Sequence, residues 1–155
     1  MRRFFYSVHF EYLADGETSS FDLGVFSTRK KAEEKIENSK RLNGFADFPP
    51  DCFQIEKFGI SFDEENVSKE NAVLYCVFHE YDIPAEASWQ WTIFGYYASR
   101  EQAEEKVRNL RIHSRIGQKY PDGFDISEIP VNIETCWSEG FDRITLPSRA
   151  PESGK

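Results

Sequence analysis

The sequence predicts an α+β fold built from two tandem, pseudo-symmetric β-β-α-β repeats, each an antiparallel sheet carrying one helix. Three observations carry that prediction. Three sequence blocks recur in the same order along the chain. Within each copy the apolar pattern alternates, then takes helical spacing, then alternates again. A hydroxyl residue stands at the same place before each helical stretch.

The repeat is read directly. Tyr6-Ser7-Val8-His9-Phe10-Glu11-Tyr12 returns as Tyr75-Cys76-Val77-Phe78-His79-Glu80-Tyr81. Gly24-Val25-Phe26-Ser27-Thr28 with Ala32-Glu33-Glu34-Lys35 returns as Gly95-Tyr96-Tyr97-Ala98-Ser99 with Ala103-Glu104-Glu105-Lys106. Pro50-Asp51-Cys52-Phe53 returns as Pro121-Asp122-Gly123-Phe124. One insertion, in the loop after the first strand, accounts for the change of offset between blocks. Such self-similarity marks a tandem duplication.

Each copy opens with a strand, Phe4 to Tyr12 or Leu74 to Tyr81, rich in aromatic and β-branched residues. A polar loop follows, then a second strand ending at Phe26 or Tyr97. The lone glycines Gly24 and Gly95 lie ahead of the helix caps and predict a bulge or a close backbone approach, not a phosphate cradle. Thr28 and Ser99 are placed to cap the helices, and Gln102 completes a capping box in the second copy. Ala32 and Ile36, or Ala103, Val107 and Leu110, form narrow apolar stripes opposite charged faces. Pro-containing turns lead to third strands, Phe53 to Ile60 and Phe124 to Ile133, with Gly123 free to take positive φ. The expected organisation is therefore a first repeat over 1–62, an acidic linker over 63–72 and a second repeat over 73–146. The second repeat gains an extra C-terminal strand around Trp137 and Phe141, and 147–155 is a disordered tail.

Composition narrows the function. With 39% hydrophobic and 30% charged residues, the 155-residue chain can bury a core and stay in solution. Its 19 basic against 27 acidic side chains give a net charge of -8. Phosphate-backbone binders carry the opposite sign, so nucleic acid is disfavoured and a basic protein partner favoured. No apolar run approaches the ~20 residues of a membrane span, and Met1-Arg2-Arg3-Phe4 does not open a signal peptide. Three scattered cysteines, Cys52, Cys76 and Cys136, give neither a disulfide framework nor a zinc site, and point to the cytoplasm.

No catalytic signature is found. His79-Glu80 is the pair suited to acid–base chemistry, but adjacent residues on a strand face opposite ways. Phe10 stands where His79 does in the other copy, so His79 is read as packing. Glu11 and Glu80 recur and could flank a site as glycosidase carboxylates do; the structural reading, pairing within each unit, is preferred. The expectation is no enzyme, no catalytic residue, no cofactor and no metal. Trp89 and Trp91 share one strand face and Trp137 lies in the appended segment, all in the second copy. That face is either the core between the copies or an interface, since Trp is enriched in binding hot spots.

The motifs of the second copy resemble those of a family of small bacterial proteins of unassigned biochemistry. They are Val77-Phe78-His79-Glu80-Tyr81, Gly95-Tyr96-Tyr97-Ala98-Ser99, Pro121-Asp122-Gly123-Phe124-Asp125-Ile126 and Trp137-Ser138-Glu139-Gly140-Phe141. In the first copy Cys52 replaces the turn glycine and the tryptophan motif is missing. The resemblance implies no catalytic residue; in character such proteins are similar to toxin-neutralising immunity proteins.

The functional expectation is a cytoplasmic immunity protein that occludes a basic bacterial toxin domain such as a nuclease. Its partner surface is expected at Asp82, Glu86, Trp89, Trp91, Trp137 and Glu139. Single-stranded nucleic-acid binding through stacked aromatics is the alternative, and an enzyme with a carboxylate site the third.

Overall fold

The computed structural model describes residues 1–14, 16–65, 67–86 and 88–142, leaving aside the side chains of Glu17, Ser88 and Trp89. The expected tail, 147–155, lies outside the described residues. The chain is α+β. Strands β1 (Arg2–Ala14) and β2 (Glu17–Phe26), helix α1 (Arg29–Ser39) and strand β3 (Phe53–Ser61) come first. Then follow β4 (Val73–Ile83), β5 (Ser88–Tyr97), α2 (Arg100–His113), a short α3 (Arg115–Lys119) and β6 (Phe124–Pro130). The strands make two separate three-stranded antiparallel sheets, ordered β2-β1-β3 and β5-β4-β6.

Register is matched between the sheets. Val8 pairs with Gly24 and His9 with Asp22, leaving Leu23 as an extra residue; Val77 pairs with Gly95 and Phe78 with Ile93, leaving Phe94. These are the expected bulges. Gly24 (φ 120°) and Gly95 (φ 142°) adopt the backbone that a side chain would resist.

The helices begin where the hydroxyls stand. Thr28 Oγ1 accepts from the Lys31 N–H, and Ser99 Oγ from the Gln102 N–H, both at 3.2 Å. Gln102 completes the box one residue early: its Oε1 accepts from the Ala98 N–H. α3 was not expected. Ser114 Oγ accepts from the Gly117 N–H at 2.9 Å while donating to the Leu110 carbonyl at 2.6 Å, so one side chain both ends α2 and starts α3.

Among the described residues three clusters make up the interior. Val8, Phe10, Leu23 and Phe26 pack beneath Ala32 of α1. Val77 packs beneath Ala103 and Val107 of α2. Between the sheets, Phe5, Val25, Ile60 and Phe62 meet Leu74 and Val131. Within the expected linker, Ala72 is buried in this middle cluster and Val67 packs against it.

His79 is fully buried at the place where Phe10 lies in the first sheet, edge-on to Phe124 at 4.5 Å. Its Nε2 bonds the Tyr120 carbonyl at 2.8 Å. Gly123 is not a positive-φ residue. Its requirement is space, because a Cβ there would collide with the Glu80 carbonyl and the His79 ring. Gly123→Ala is expected to destabilise the second unit by roughly 1–3 kcal/mol, the range for overpacking, measured by urea denaturation. An unchanged midpoint would show that this backbone yields.

The expected strand around Trp137 and Phe141 is not formed among the described residues. β6 stops at Pro130 instead of Ile133, because Asn132 (φ 66°) turns the chain away. Residues 131–142 then run as turns across the first unit. Asn132 accepts from the Ser27 N–H at 2.9 Å, and its main-chain N–H donates to Val25. Lys35 of α1, 3% exposed, donates Nζ to the carbonyls of Glu134 (2.9 Å) and Cys136 (2.7 Å). Burial lowers the Lys35 pKa. Phe141 closes the first core, stacked on Phe21 at 4.4 Å and edge-on to Phe45 at 4.9 Å.

Candidate functional site

Strand alternation places Tyr6, Val8, Phe10 and Tyr12 toward α1 and sends Phe5, Ser7, His9 and Glu11 to the opposite face of the first sheet. At the Phe5 end that face is apolar and sealed by the second unit; Phe58 stacks on Tyr96 there at 4.7 Å. Beyond Phe5 the face turns polar, and a cleft of about 1070 Å³ opens between it and β5.

The cleft has two unlike walls. Ser7, His9 and Glu11 of β1 and Gln54 and Glu56 of β3 line one side. Trp91, Ile93 and Tyr96 of β5 line the other. Among the described residues lining it there is no Lys or Arg. Ser7 Oγ and His9 Nε2 are 3.0 Å apart, and Ser7 also reaches the Glu56 carbonyl at 3.5 Å. Glu11 and Glu56 are exposed, and the Glu11 carboxylate makes no hydrogen bond or ion pair with a described residue, unlike the expected pairing within its unit.

Behind this surface sits Asp22, paired across the strands with His9. It accepts from the Gly24 N–H at 3.2 Å and from the Tyr96 hydroxyl at 3.4 Å. Burial raises its pKa, partly offset by His9 and by these two donors. The Tyr96 hydroxyl is pushed far up by burial and by the Asp22 charge, so it stays a donor. Cys76 is pushed up to about 12, mainly by burial, and remains a thiol.

The residues expected at a partner surface are divided between places. Trp91 is half-buried and lines the cleft. Asp82 and Glu86 are exposed at the β4–β5 hairpin, and the Trp89 side chain lies outside the described residues. Trp137 is 44% exposed and sits edge-on to Phe21 at 4.7 Å, among side chains of the α1 core. Its φ of 54° is a strained conformation for a bulky residue. Glu139 is exposed in the same turn.

Ser7, His9, Glu56 and Asp22 were missed by sequence reasoning. A signal for them existed: at the matching register positions the second sheet carries Cys76, Phe78, Ser127 and Ile93. Among the described residues no group of three or more His, Cys, Asp or Glu is placed to hold a metal ion, and no helix is long and apolar enough to cross a membrane. Compared with models of protein families, with curated proteins and with solved structures, the chain shows no match.

Proposed function

We propose that the protein is a cytoplasmic, non-enzymatic binding module whose partner is a basic protein, received in the cleft between the two units. The observation that carries this reading is the cleft lining: two exposed glutamates and an aromatic wall, with no Lys or Arg among the described lining residues. Such a surface attracts cations, and a net charge of -8 steers them from a distance. Occlusion of a basic toxin domain is the form of this role we favour. The common element order and the shared bulge register support reading the units as a duplicated β-β-α-β repeat. In that reading the second copy supplies the aromatic wall and the first has acquired the polar one. Single-stranded nucleic acid fits this lining poorly, because its phosphates would face Glu11 and Glu56 without a compensating cation.

The test is affinity capture from native host lysate at low and moderate salt, with wild-type protein and the Glu11→Gln/Glu56→Gln variant in parallel. Both glutamates are exposed, so the variant is expected to fold normally. One stoichiometric basic protein, captured by the wild type and reduced at least tenfold by the variant or by added salt, is the expected result. Capture indifferent to both changes would overturn the cleft as the docking surface.

A further inference from the structure

We infer that the cleft takes an extended cationic segment of the partner, which adds as a strand to the free edge of β5. The inference rests on the proposed function and specifies how its site would be used.

Four observations lead to it. First, every residue from Gln90 to Tyr96 lines the cleft. Alternate side chains of a strand point to opposite faces, so an unbroken run of lining residues means that the strand's edge, with its main chain, is presented. Second, β5 is an edge strand: β4 is its only strand neighbour among the described residues. An edge offers a row of main-chain donors and acceptors to an incoming chain, and strand addition is a recurring way to bind peptides. Third, the cleft, at about 1070 Å³, is as large as the largest usual small-molecule sites, ~300–1,000 Å³, and has room for a short extended segment.

The fourth observation is the spacing of charge. Glu56 lies opposite Ser7, four residues before Glu11 on β1. At about 3.3 Å per residue, the two carboxylates are roughly 13 Å apart along the strand. In an extended peptide, side chains on one face recur every two residues, so cations at i and i+4 span the same distance. Trp91, which also lines the cleft, supplies an aromatic ring of the kind that attracts a cation. The scaffold does not require this polar wall, because the second sheet places Cys76, Phe78 and Ser127 at the positions of Ser7, His9 and Glu56.

The experiment uses the full chain, isotopically labelled, and three seven-residue peptides with blocked ends. One alternates Arg with Val. A second has Glu for each Arg. The third keeps Arg and Val but is N-methylated at alternate residues, which removes main-chain donors without changing charge. The Arg peptide is expected to bind, to shift the amide signals of residues 90–96 and to slow their hydrogen exchange at least tenfold. The Glu peptide and the N-methylated peptide should each lose at least tenfold in affinity. Equal binding of the N-methylated peptide would overturn strand addition, leaving a charged cleft without main-chain pairing. Equal binding of the Glu peptide, or no binding of the Arg peptide, would overturn it as well. The proposed function fails separately, when partner capture ignores Glu11 and Glu56.

Discussion

Replacing Phe141 by Ala is expected to destabilise the protein by about 3–5 kcal/mol, the range for deleting a buried aromatic ring. Phe141 is 8% exposed, and its ring touches Phe21 at 4.4 Å, Phe45 at 4.9 Å and Tyr12 at 5.8 Å. The backbone has little freedom to collapse into the space left. The Phe141 N–H donates to the Asn43 carbonyl at 2.9 Å, and Gly44 and Gly140, both at positive φ, pass against the opposing chain too closely for a Cβ. The loss should therefore reach the first unit, although residue 141 lies beyond β6, the last strand of the second sheet. Chemical denaturation gives the size of the effect, and amide exchange its location. A cost below 1 kcal/mol, or faster exchange confined to 131–142, would show that this segment rests on the first core without completing it.

The same residue shows where sequence reading stops. Strand, helix and bulge positions were legible because each depends on local chemistry: alternation in β1 and β4, the hydroxyls of Thr28 and Ser99, the lone glycines at 24 and 95. A strand was expected around Trp137 and Phe141, but the course of this segment is set by contacts about a hundred residues away. Lys35 shows this plainly. It stands three residues after Ala32 and four before Ser39, on the buried face of α1, where carbonyls of Glu134 and Cys136 replace its water and allow the charge to be buried. The cleft was hidden for a related reason. Trp89 and Trp91 drew attention as large residues on one strand, whereas the polar wall opposite consists of ordinary Ser, His and Glu residues. Only cross-strand register and the splay of two sheets bring them together, and neither is written in any one segment.

Asp22→Asn is expected to stabilise the fold at neutral pH, by about 0.5–2 kcal/mol, the usual size of a single stabilising change. Asn retains an acceptor for the Gly24 N–H, and its amide NH2 takes the other position and can donate to the Tyr96 hydroxyl oxygen, while a charge held away from water is removed. The groups around that carboxylate are His9 from β1, Cys76 from β4, Tyr96 from β5 and Cys136 from the crossing segment; none is a Lys or Arg. Burial raises the carboxyl pKa of Asp22 above its ordinary 3.8 in the folded state. The folded protein therefore holds this proton more tightly than the unfolded chain does. Its contribution to stability is complete below 3.8 and is lost as pH rises through the folded value. The advantage of the Asn variant should accordingly be small or absent near pH 3.5, grow as pH rises and then level off. Urea midpoints of both proteins across pH 3.5–7.5 measure it directly. A difference that is flat with pH, or a variant less stable at neutral pH, would mean that the carboxylate is stabilised in place. A growing advantage would mean that the first unit retains an acid at some cost to its stability, directly behind the Tyr96 wall of the cleft. Charge placed against the needs of the fold is what a site for a cation requires.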